Sequence, residues 1–313
     1  MKVMGITAGR KNGNSEILLK EALSVCKDQG AEVWMINLQD YNILHCTGCE
    51  ACSMGMARGV RVPCVLQDKD DKHVLTEKML EMDAVIFSVP TYDLMPASRY
   101  LAFAHRSLAY ETAFLSSIGE LEPKDRICGI ISVGGSTRSW QSMALENMLA
   151  TTFTTSFKVV DMMLAKRVSR PAYVLLRPEF IERARKMGEN IMEALSTPPE
   201  ERKWLGEEDF GWCPNCHSNA LTKGEEHWDG VKYPIECQVC ACGGDLEPDG
   251  KGGYKFVIWD EGRAKDRFTD EGRGEHLVEI GEGMKFFFEP ENQKIVKEEI
   301  EKYKNIQFNS ITV

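Results

Sequence analysis

The fold is decided by residues 3–15, which read VMGITAGRKNGNS. The apolar first part predicts a short buried strand, and the periodic apolar residues that follow predict a helix over residues 15–29. The two glycines of the connecting loop let its backbone approach a ligand closely. Such a loop presents free N–H groups and the positive end of the helix dipole to an anion, and Ser15 is expected to cap the helix. The stretch therefore predicts a phosphate site, with an ordinary strand-to-helix turn as the alternative.

Short apolar runs alternate with longer helical patterns through the first two thirds of the chain. Strands are predicted over residues 3–7, 32–37, 83–88, 126–133 and 157–161, and helices over 15–29, 76–82, 97–109, 140–152 and 178–195. Strands this apolar are buried on both faces, as in a parallel sheet. The sequence therefore predicts an α/β fold with a doubly wound, five-stranded parallel sheet, whose ligand lies outside the carboxyl ends of the strands.

A change of composition divides the chain near residue 197. Prolines and charges there are typical of a linker, and cysteine pairs, Gly-rich turns and short β-type runs such as Tyr254–Trp259 follow. We expect three parts: an α/β domain over 1–197, a small cysteine-rich β domain over 198–280 and a helical segment over 281–313, with a surface helix at 291–304.

The composition excludes several classes of protein. The 313 residues carry a formal net charge of -10, which argues against nucleic acid as a partner. No apolar run is long enough to span a membrane and the N-terminus lacks a signal-peptide pattern, so we expect a cytoplasmic protein. Nine of the eleven cysteines fall in two clusters, and in a reducing compartment clustered thiols indicate metal binding rather than disulfides.

Two further loops follow predicted strands at the same edge of the sheet. Ser88–Tyr92 (SVPTY) comes after the third strand, and Val133–Ser136 (VGGS) comes after the fourth. Proline fixes the backbone of the first loop and Tyr92 offers an aromatic ring, while the glycines of the second loop are expected to present exposed N–H groups. Three such loops at the carboxyl ends of parallel strands predict one binding cleft.

The sequence Arg10–Ser15 (RKNGNS) resembles the phosphate loop of the NADPH-dependent FMN reductases, a family of flavodoxin-like proteins. The resemblance covers residues 1–195 and implies FMN as cofactor. It implies three groups of FMN-binding residues: Thr7, Gly9, Arg10, Asn12, Asn14 and Ser15 at the phosphate, Pro90, Thr91 and Tyr92 along the ring, and Gly134, Gly135 and Ser136 at the pyrimidine edge. The chain departs from the family pattern at Ala8, where a serine is common, and Thr7 is expected to supply the missing hydroxyl.

Flavin chemistry explains why the sequence shows no acid–base constellation. The cofactor itself carries the hydride, and the protein supplies position and electrostatics. Catalytic residues therefore stay unassigned. Tyr92 is the candidate nearest the ring, and simple packing is its alternative role.

The first cysteine cluster comprises Cys46, Cys49, Cys52 and, further along, Cys64. It resembles the compact cysteine motif of the iron–sulfur flavoproteins, a branch of the same fold family, in which a [4Fe–4S] cluster passes electrons to FMN. By that resemblance these four thiolates hold such a cluster. The gap of eleven residues before Cys64 is longer than that branch usually has. Free thiols or a redox pair are the alternative.

The second cluster contains two Cys-x-x-Cys pairs separated by twenty residues, Cys213 with Cys216 and Cys237 with Cys240. Two such knuckles place four sulfurs around one ion, so the segment resembles a zinc ribbon. A single redox iron, as in rubredoxins, is the alternative metal. Cys242 is an alternative to Cys240, and His217 and His227 are further candidate ligands.

Together these observations predict an FMN-dependent oxidoreductase. Its electrons would come from NAD(P)H or a reduced ferredoxin, with a possible route through a [4Fe–4S] cluster, and pass to a small-molecule acceptor. The family resemblance implies a homodimer or homotetramer. Two alternatives stay open: a reductase dedicated to one organic substrate, and a non-enzymatic electron-transfer or redox-sensing flavoprotein whose metal ribbon docks a partner.

Overall fold

A computed structural model describes residues 1–306 and residue 308. The first part of the chain forms β1 Lys2–Thr7, α1 Asn14–Asp28, β2 Glu32–Asn37, α2 Ala51–Ala57, α3 Lys72–Leu80, β3 Ala84–Tyr92, β4 Met95–Pro96, α4 Ser98–Ala104, α5 Thr112–Ser117, β5 Arg126–Val133, α6 Ala144–Ala150, β6 Phe157–Ala165 and α7 Pro178–Ser196. The second part forms β7 Leu221–Lys223, β8 Ile235–Cys237, β9 Gly243–Pro248, β10 Tyr254–Ile258, α8 Asp260–Arg263, α9 Asp270–Phe288 and α10 Pro290–Lys304. Within the described part of the chain, no helix has the length and apolar character needed to cross a bilayer.

The larger sheet confirms the predicted flavodoxin-like architecture. Its strands lie in the order β2-β1-β3-β5-β6, and all four pairings along this path are parallel. The order reverses between β1 and β3, which makes the carboxyl end of this pair the topological switch point. The short strand β4 adds an antiparallel partner to the end of β3.

Apolar layers cover both faces of this sheet, as its continuous hydrophobic strands predict. Every residue of β5 is buried. Helices α1 and α7 pack on one face, where Leu19 and Ile191 belong to the same core. The opposite face carries α3, α4 and α6, and its core continues without a break into the cysteines of the second part.

The smaller sheet is antiparallel, in the order β10-β9-β8-β7. It matches the expected cysteine-rich β domain. The long helix α9 was not predicted, and the boundary expected at residue 280 falls inside it. Helix α10 has no buried residue, in line with the expected surface position.

The structure differs from the predicted elements most clearly at Ser88–Tyr92. Residues 89–92 were expected to form a loop, but they continue β3: Val89 and Pro90 pair with β5, and Thr91 and Tyr92 pair with β4. The two strands are joined by Asp93 and Leu94, which have φ values of 46° and 71°. Two consecutive residues in this left-handed region form the tight hairpin turn that follows the strand twist.

The close approach of α1 and α7 depends on Gly188. A Cβ atom there would lie 2.4 Å from the Ala22 carbonyl oxygen and 2.9 Å from the Val25 Cβ atom. Gly188→Ala is therefore expected to lower the free energy of unfolding by about 1–3 kcal/mol through overpacking. Gly274→Ala is the matched control, because Gly274 is helical in α9 with open space around it, and it should be neutral or stabilising by up to about 1 kcal/mol. Urea denaturation measures both, and equal stability of the two variants would contradict the packing account.

Candidate functional site

The loop after β1 leads into α1, and the first backbone N–H groups of this helix have no hydrogen-bond partner among the described residues. The Gly13 amide donates to the Arg10 carbonyl oxygen at 3.0 Å, and Asn12 between them has a φ of 56°. The first intrahelical bond runs from Ile17 to Gly13, so the N–H groups of residues 14–16 precede the helical ladder. Among the described residues, no side chain caps the helix. The turn therefore presents free N–H groups at a helix N-terminus, a geometry that suits an anion.

The expectation that Ser15 caps α1 is wrong. Gly13 occupies the N-cap position, and Ser15 lies inside the first turn, buried at 3% exposure. The tight turn at Arg10–Gly13 starts the helix one residue earlier than predicted, which moves Ser15 out of the capping position. Its own N–H group is thereby left among the free donors of the turn.

Asn14 anchors the loop instead of facing a ligand with its side chain. Its amide nitrogen donates to the carbonyl oxygens of Val168 and Arg170, both at 2.8 Å, and its amide oxygen accepts from the Val174 N–H group at 3.0 Å. These three bonds engage both ends of the side-chain amide. Asn14, predicted to contact the phosphate, therefore contributes through its backbone and through positioning.

Other polar contacts fix the first half of the loop. The buried Thr7 hydroxyl oxygen accepts from the Gly9 N–H group at 3.2 Å. Asn37, the last residue of β2, and Gln39, two residues later, donate side-chain N–H groups to the carbonyl oxygens of Gly9 and Ala8, each at 2.8 Å. Sequence reasoning missed this pair, although their position at the end of the strand beside β1 was the available signal.

The charged residues of the loop point outward. Arg10, Lys11 and Asn12 are exposed. Lys11 forms a salt bridge with Asp40 at 2.9 Å. Arg10 and Asn12, both predicted to bind the phosphate, thus lie at the rim of the loop, where Arg10 is free to meet an anion from the solvent side.

The β3–β4 hairpin forms the second wall of the cleft. The hydroxyl groups of Thr91 and Ser132 lie 3.2 Å apart, which joins the hairpin to β5. Tyr92 is 51% exposed, so its ring is available at the cleft. The Met143 N–H group donates to the Leu94 carbonyl oxygen at 3.1 Å, which ties the hairpin tip to the segment before α6.

The third wall follows β5 and corrects the prediction for Gly134. Its N–H group is not free, because it donates to the Ala165 carbonyl oxygen at 2.9 Å and extends the pairing of β5 with β6. The N–H groups of Gly135 and Ser136 have no partner within residues 1–306. These two residues supply the free donors that were predicted for this loop.

Gln141 is a site residue that sequence reasoning did not find. A Cβ atom on Gly134 would lie 2.1 Å from the Gln141 Cδ atom, so glycine is needed to admit this side chain. Gln141 is 3% exposed and donates to the Ser136 carbonyl oxygen at 3.0 Å, while its Oε1 atom has no partner among the described residues. A buried amide oxygen without a partner is costly unless a ligand satisfies it.

These three loops lie at the carboxyl ends of β1, β3 and β5, which are adjacent in the sheet. The cleft offers an anion-binding helix N-terminus at one end, an aromatic wall, and two free N–H groups beside a buried acceptor at the other. A phosphorylated, planar cofactor with donor and acceptor atoms on its ring edge matches this set. FMN has that chemistry, so the residues present fit it.

The second cysteine cluster is assembled for a single ion. The sulfur atoms of Cys213, Cys216, Cys237 and Cys240 are buried and all lie within 4.8 Å of one another. The Cys213–Cys240 and Cys216–Cys237 sulfur pairs are each 3.6 Å apart. A tetrahedral ion with metal–sulfur bonds of about 2.3 Å separates its sulfurs by about 3.8 Å. The four predicted ligands therefore form a site that can bind a metal.

Backbone geometry supports the same site. The N–H groups of His217 and Ala241 donate to the carbonyl oxygens of Cys213 and Cys237 at 2.9 and 2.8 Å, closing one turn around each cysteine pair. The alternative histidine ligands are engaged elsewhere: His217 stacks on Trp204 with ring centroids 4.0 Å apart, and the His227 Nε2 atom lies 2.9 Å from Glu236. Cys242 is buried with its sulfur within 4.8 Å of Cys240 and Asp266, so it is a fifth thiol beside the site.

The first cysteine cluster is more open. Cys46 and Cys49 are exposed and Cys52 and Cys64 are half-buried. Within the described ranges, no three of these sulfurs lie within 4.8 Å of one another, so they do not form a site for a single ion. In a cubane each cysteine binds a different iron, which requires wider spacing.

Two basic side chains, Arg106 and Lys72, lie near Cys64. The buried Arg106 donates to the Cys64 sulfur at 3.5 Å and pairs with Asp70. The Nε atom of Arg106 and the Oδ1 atom of Asp70 are buried without a partner among the described residues. The nearby ammonium of Lys72 lies over the rings of Phe103 and Tyr110, and burial lowers its pKa to about 7. Arg106 is therefore the charged donor in contact with Cys64, and it shares that charge with Asp70.

Fold and cleft define the class of protein, a flavin-dependent oxidoreductase built on a flavodoxin-like domain. The model of the family described as NADPH-dependent FMN reductase matches residues 1–165. The chain belongs to this family, which confirms the resemblance first seen in residues 10–15.

Individual proteins are similar over different lengths. A protein named flavone synthase cfoJ, from Aspergillus candidus, is 22% identical over 307 residues, which is 91% of this chain and 90% of that protein. An iron-sulfur flavoprotein of Archaeoglobus fulgidus is 36% identical over 92 residues, which is 29% of this chain and 41% of the relative. A solved structure named flavone reductase has a TM-score of 0.74 at 24% identity and covers 100% of both chains. The fold is therefore shared over both parts of the chain.

The ribbon geometry leads to a prediction about metal content. The purified protein is expected to carry one transition-metal ion held by the four buried sulfurs. Cys237→Ser should weaken binding by more than about 100-fold, since changes outside the ligand shell already cost about 10–100-fold. Cys128→Ser is the control, because that thiol is buried in the core of the α/β domain. Elemental analysis after chelation decides, and equal metal content in both variants would contradict the site.

Proposed function

We propose that the protein is an FMN-dependent reductase that takes electrons from NAD(P)H and delivers them to a planar aromatic molecule with a conjugated carbonyl group. The observation that carries the proposal is the free first turn of α1 beside two further ligand-ready loops at the switch point of the sheet. Bound FMN would supply hydride transfer between the two substrates.

Each wall of the cleft has its own part in holding the cofactor. The free N–H groups of residues 14–16 bind the phosphate, and the Ser15 hydroxyl and the Arg10 guanidinium supplement them. The N–H groups of Gly135 and Ser136 and the Gln141 Oε1 atom meet the ring edge, donating to its oxygens and accepting from its N–H group. Pro90 and Thr91 shape the wall that places Tyr92.

Exposed apolar side chains around the cleft support a planar aromatic acceptor. Tyr92, Leu94, Met95, Trp140 and Met143 are all at least 38% exposed and lie on the hairpin and the segment bonded to it. Flat apolar rings bind to such a surface through stacking and desolvation. The relatives that share both parts of the chain are named flavone synthase and flavone reductase. A flavone is therefore the first acceptor to test.

An iron–sulfur cluster is a second proposal, and it would add a ferredoxin-type donor. Its support is the contact of Arg106 with the Cys64 sulfur, the unpartnered Arg106 Nε and Asp70 Oδ1 atoms, and the similarity of part of the chain to an iron-sulfur flavoprotein. Cys46 and Cys49 on the exposed loop and Cys52 at the start of α2 would complete the ligand set. Arg106 would donate to a ligand sulfur, a contact of the kind that tunes cluster potentials.

Anaerobic turnover tests the first proposal. With FMN present, the protein is expected to oxidise NADPH and to reduce a flavone by two electrons. Ser15→Asp places a carboxylate in the phosphate cradle and should weaken FMN binding by at least about 10-fold, because repulsion between like charges adds to the loss of the hydroxyl bond. Ser15→Ala, which adds no charge, should lose less. Fluorescence quenching of FMN measures both. If the native chain binds no FMN at micromolar concentration, the proposal is wrong. If NADPH reduces the flavin but flavone is not reduced, only the assignment of flavone as the acceptor is wrong.

Metal and sulfide analysis tests the cluster. Protein purified without oxygen is expected to contain about four iron and four sulfide per chain beyond the ribbon metal. Cys64→Ser should remove this iron, whereas Ser53→Ala beside Cys52 should retain it. Negligible sulfide in the anaerobic protein would leave the flavin proposal intact and favour free thiols or a redox pair.

A further inference from the structure

We infer that the metal ribbon is a clamp on the flavin cleft, so that metal binding and FMN binding strengthen each other through Glu146. The inference rests on the proposed FMN site and on the ribbon metal. It assigns a positioning role to residues that touch neither ligand.

The first contact joins one metal knuckle to α6. Glu146 is 7% exposed and lies in the first turn of α6. Its Oε2 atom accepts from the Ser218 hydroxyl at 2.7 Å, and its Oε1 atom accepts from the Asn219 N–H group at 3.2 Å. The Cys213 N–H group donates to the Ser218 carbonyl oxygen at 3.0 Å, so Ser218 belongs to the turn that carries the ligand cysteines.

This carboxylate depends on the knuckle. Glu146 forms no salt bridge within the described ranges of the chain, and its carboxylate accepts hydrogen bonds there from Ser218 and Asn219. A buried carboxylate that loses its hydrogen bonds is strongly destabilised. An ordered knuckle is therefore required to hold the start of α6 in place.

A second contact reaches the flavin loop itself. The Arg138 guanidinium lies over the ring of Phe210, 5.5 Å from its centroid. Phe210 is 7% exposed, and its carbonyl oxygen accepts from the Asn219 side chain at 3.4 Å. Arg138 lies two residues after Ser136 in the sequence. The stacked pair thus connects the loop at the ring edge to the same knuckle.

Residues 136–146, which join these two contacts, are hydrogen-bonded to both walls of the proposed flavin site: the loop after β5 and the β3–β4 hairpin. Gln141 donates to the Ser136 carbonyl oxygen, and Met143 donates to the Leu94 carbonyl oxygen of the hairpin. The chain from Ser136 to Glu146 is therefore fixed to the cleft at one end and to the knuckle at the other. Small tetrathiolate modules lose their fold without metal, so the knuckle is the element with two states that both sites can bias.

Linkage between the two sites is reciprocal and measurable. Stripping the ribbon metal from the full chain under reducing, anaerobic conditions is expected to weaken FMN binding by about 5–150-fold. Bound FMN should lower the Kd of the ribbon metal, measured by competition with a chelator, by the same factor. Four Kd values form a thermodynamic cycle: those for FMN with and without metal, and those for metal with and without FMN. The two ratios must be equal.

Two variants test the route. Glu146→Ala and Phe210→Leu should each retain metal while their coupling factor falls at least about threefold below the wild-type value, since each removes one of the two contacts. Glu236→Gln is the matched ribbon control, because Glu236 contacts His227 and not α6, and it should keep the wild-type coupling. If Glu146→Ala does not fold, the coupling factor of Phe210→Leu alone tests the route.

The outcomes separate this inference from the proposed function. Equal FMN affinity with and without metal, in a chain whose α/β domain stays folded by circular dichroism, would overturn the clamp and leave the flavin site standing. Wild-type coupling in both route variants would overturn the assigned contacts. Metal-loaded protein that binds no FMN would overturn the proposed function and the clamp together.

Discussion

Unsatisfied N–H groups at the start of α1 are the constraint on which the functional part of this structure depends. A helix buried in an α/β domain leaves its first amides without intrahelical partners, and no side chain in the described part of the chain caps them here. The loop is held in this open state by side-chain hydrogen bonds from Asn14, Asn37 and Gln39. In the proposed function, a bound phosphate would complete the hydrogen bonding of the turn.

The cysteine-rich part solves a different problem. Its four short strands bury little apolar area of their own, so an ion held by four sulfurs is the natural source of order. The core of the α/β domain runs on into these cysteines, and Glu146 meets the knuckle through buried hydrogen bonds. The ribbon is therefore packed as a wall of the molecule, which accounts for its presence in a protein whose cofactor lies in the other part.

Local sequence patterns predicted the strands, the parallel sheet, the anion loop and the ribbon ligands. Each of these follows from short-range physics: the period of apolar residues, the glycines of a tight loop, and the spacing of cysteine pairs. The failures came where a distant partner decides the outcome. Val89 and Pro90 belong to a strand because they pair with β5, more than 40 residues away, and the Gly134 N–H group donates to the Ala165 carbonyl oxygen. Gln141 had no local signal, since its importance comes from lying against Gly134.

Taken alone, the sequence determined the flavodoxin-like domain, the glycine-containing loop before α1 and the four-sulfur site, because these depend on residues close together along the chain. Only the tertiary structure decided which loop amides stay free, that Asn14 anchors rather than binds, and that the ribbon rests on α6. Those features depend on which polar groups find partners, and the partners of Asn14 and Glu146 lie 154 and 72 residues away. Hydrogen-bond satisfaction is a property of the folded molecule, so no local pattern encodes it.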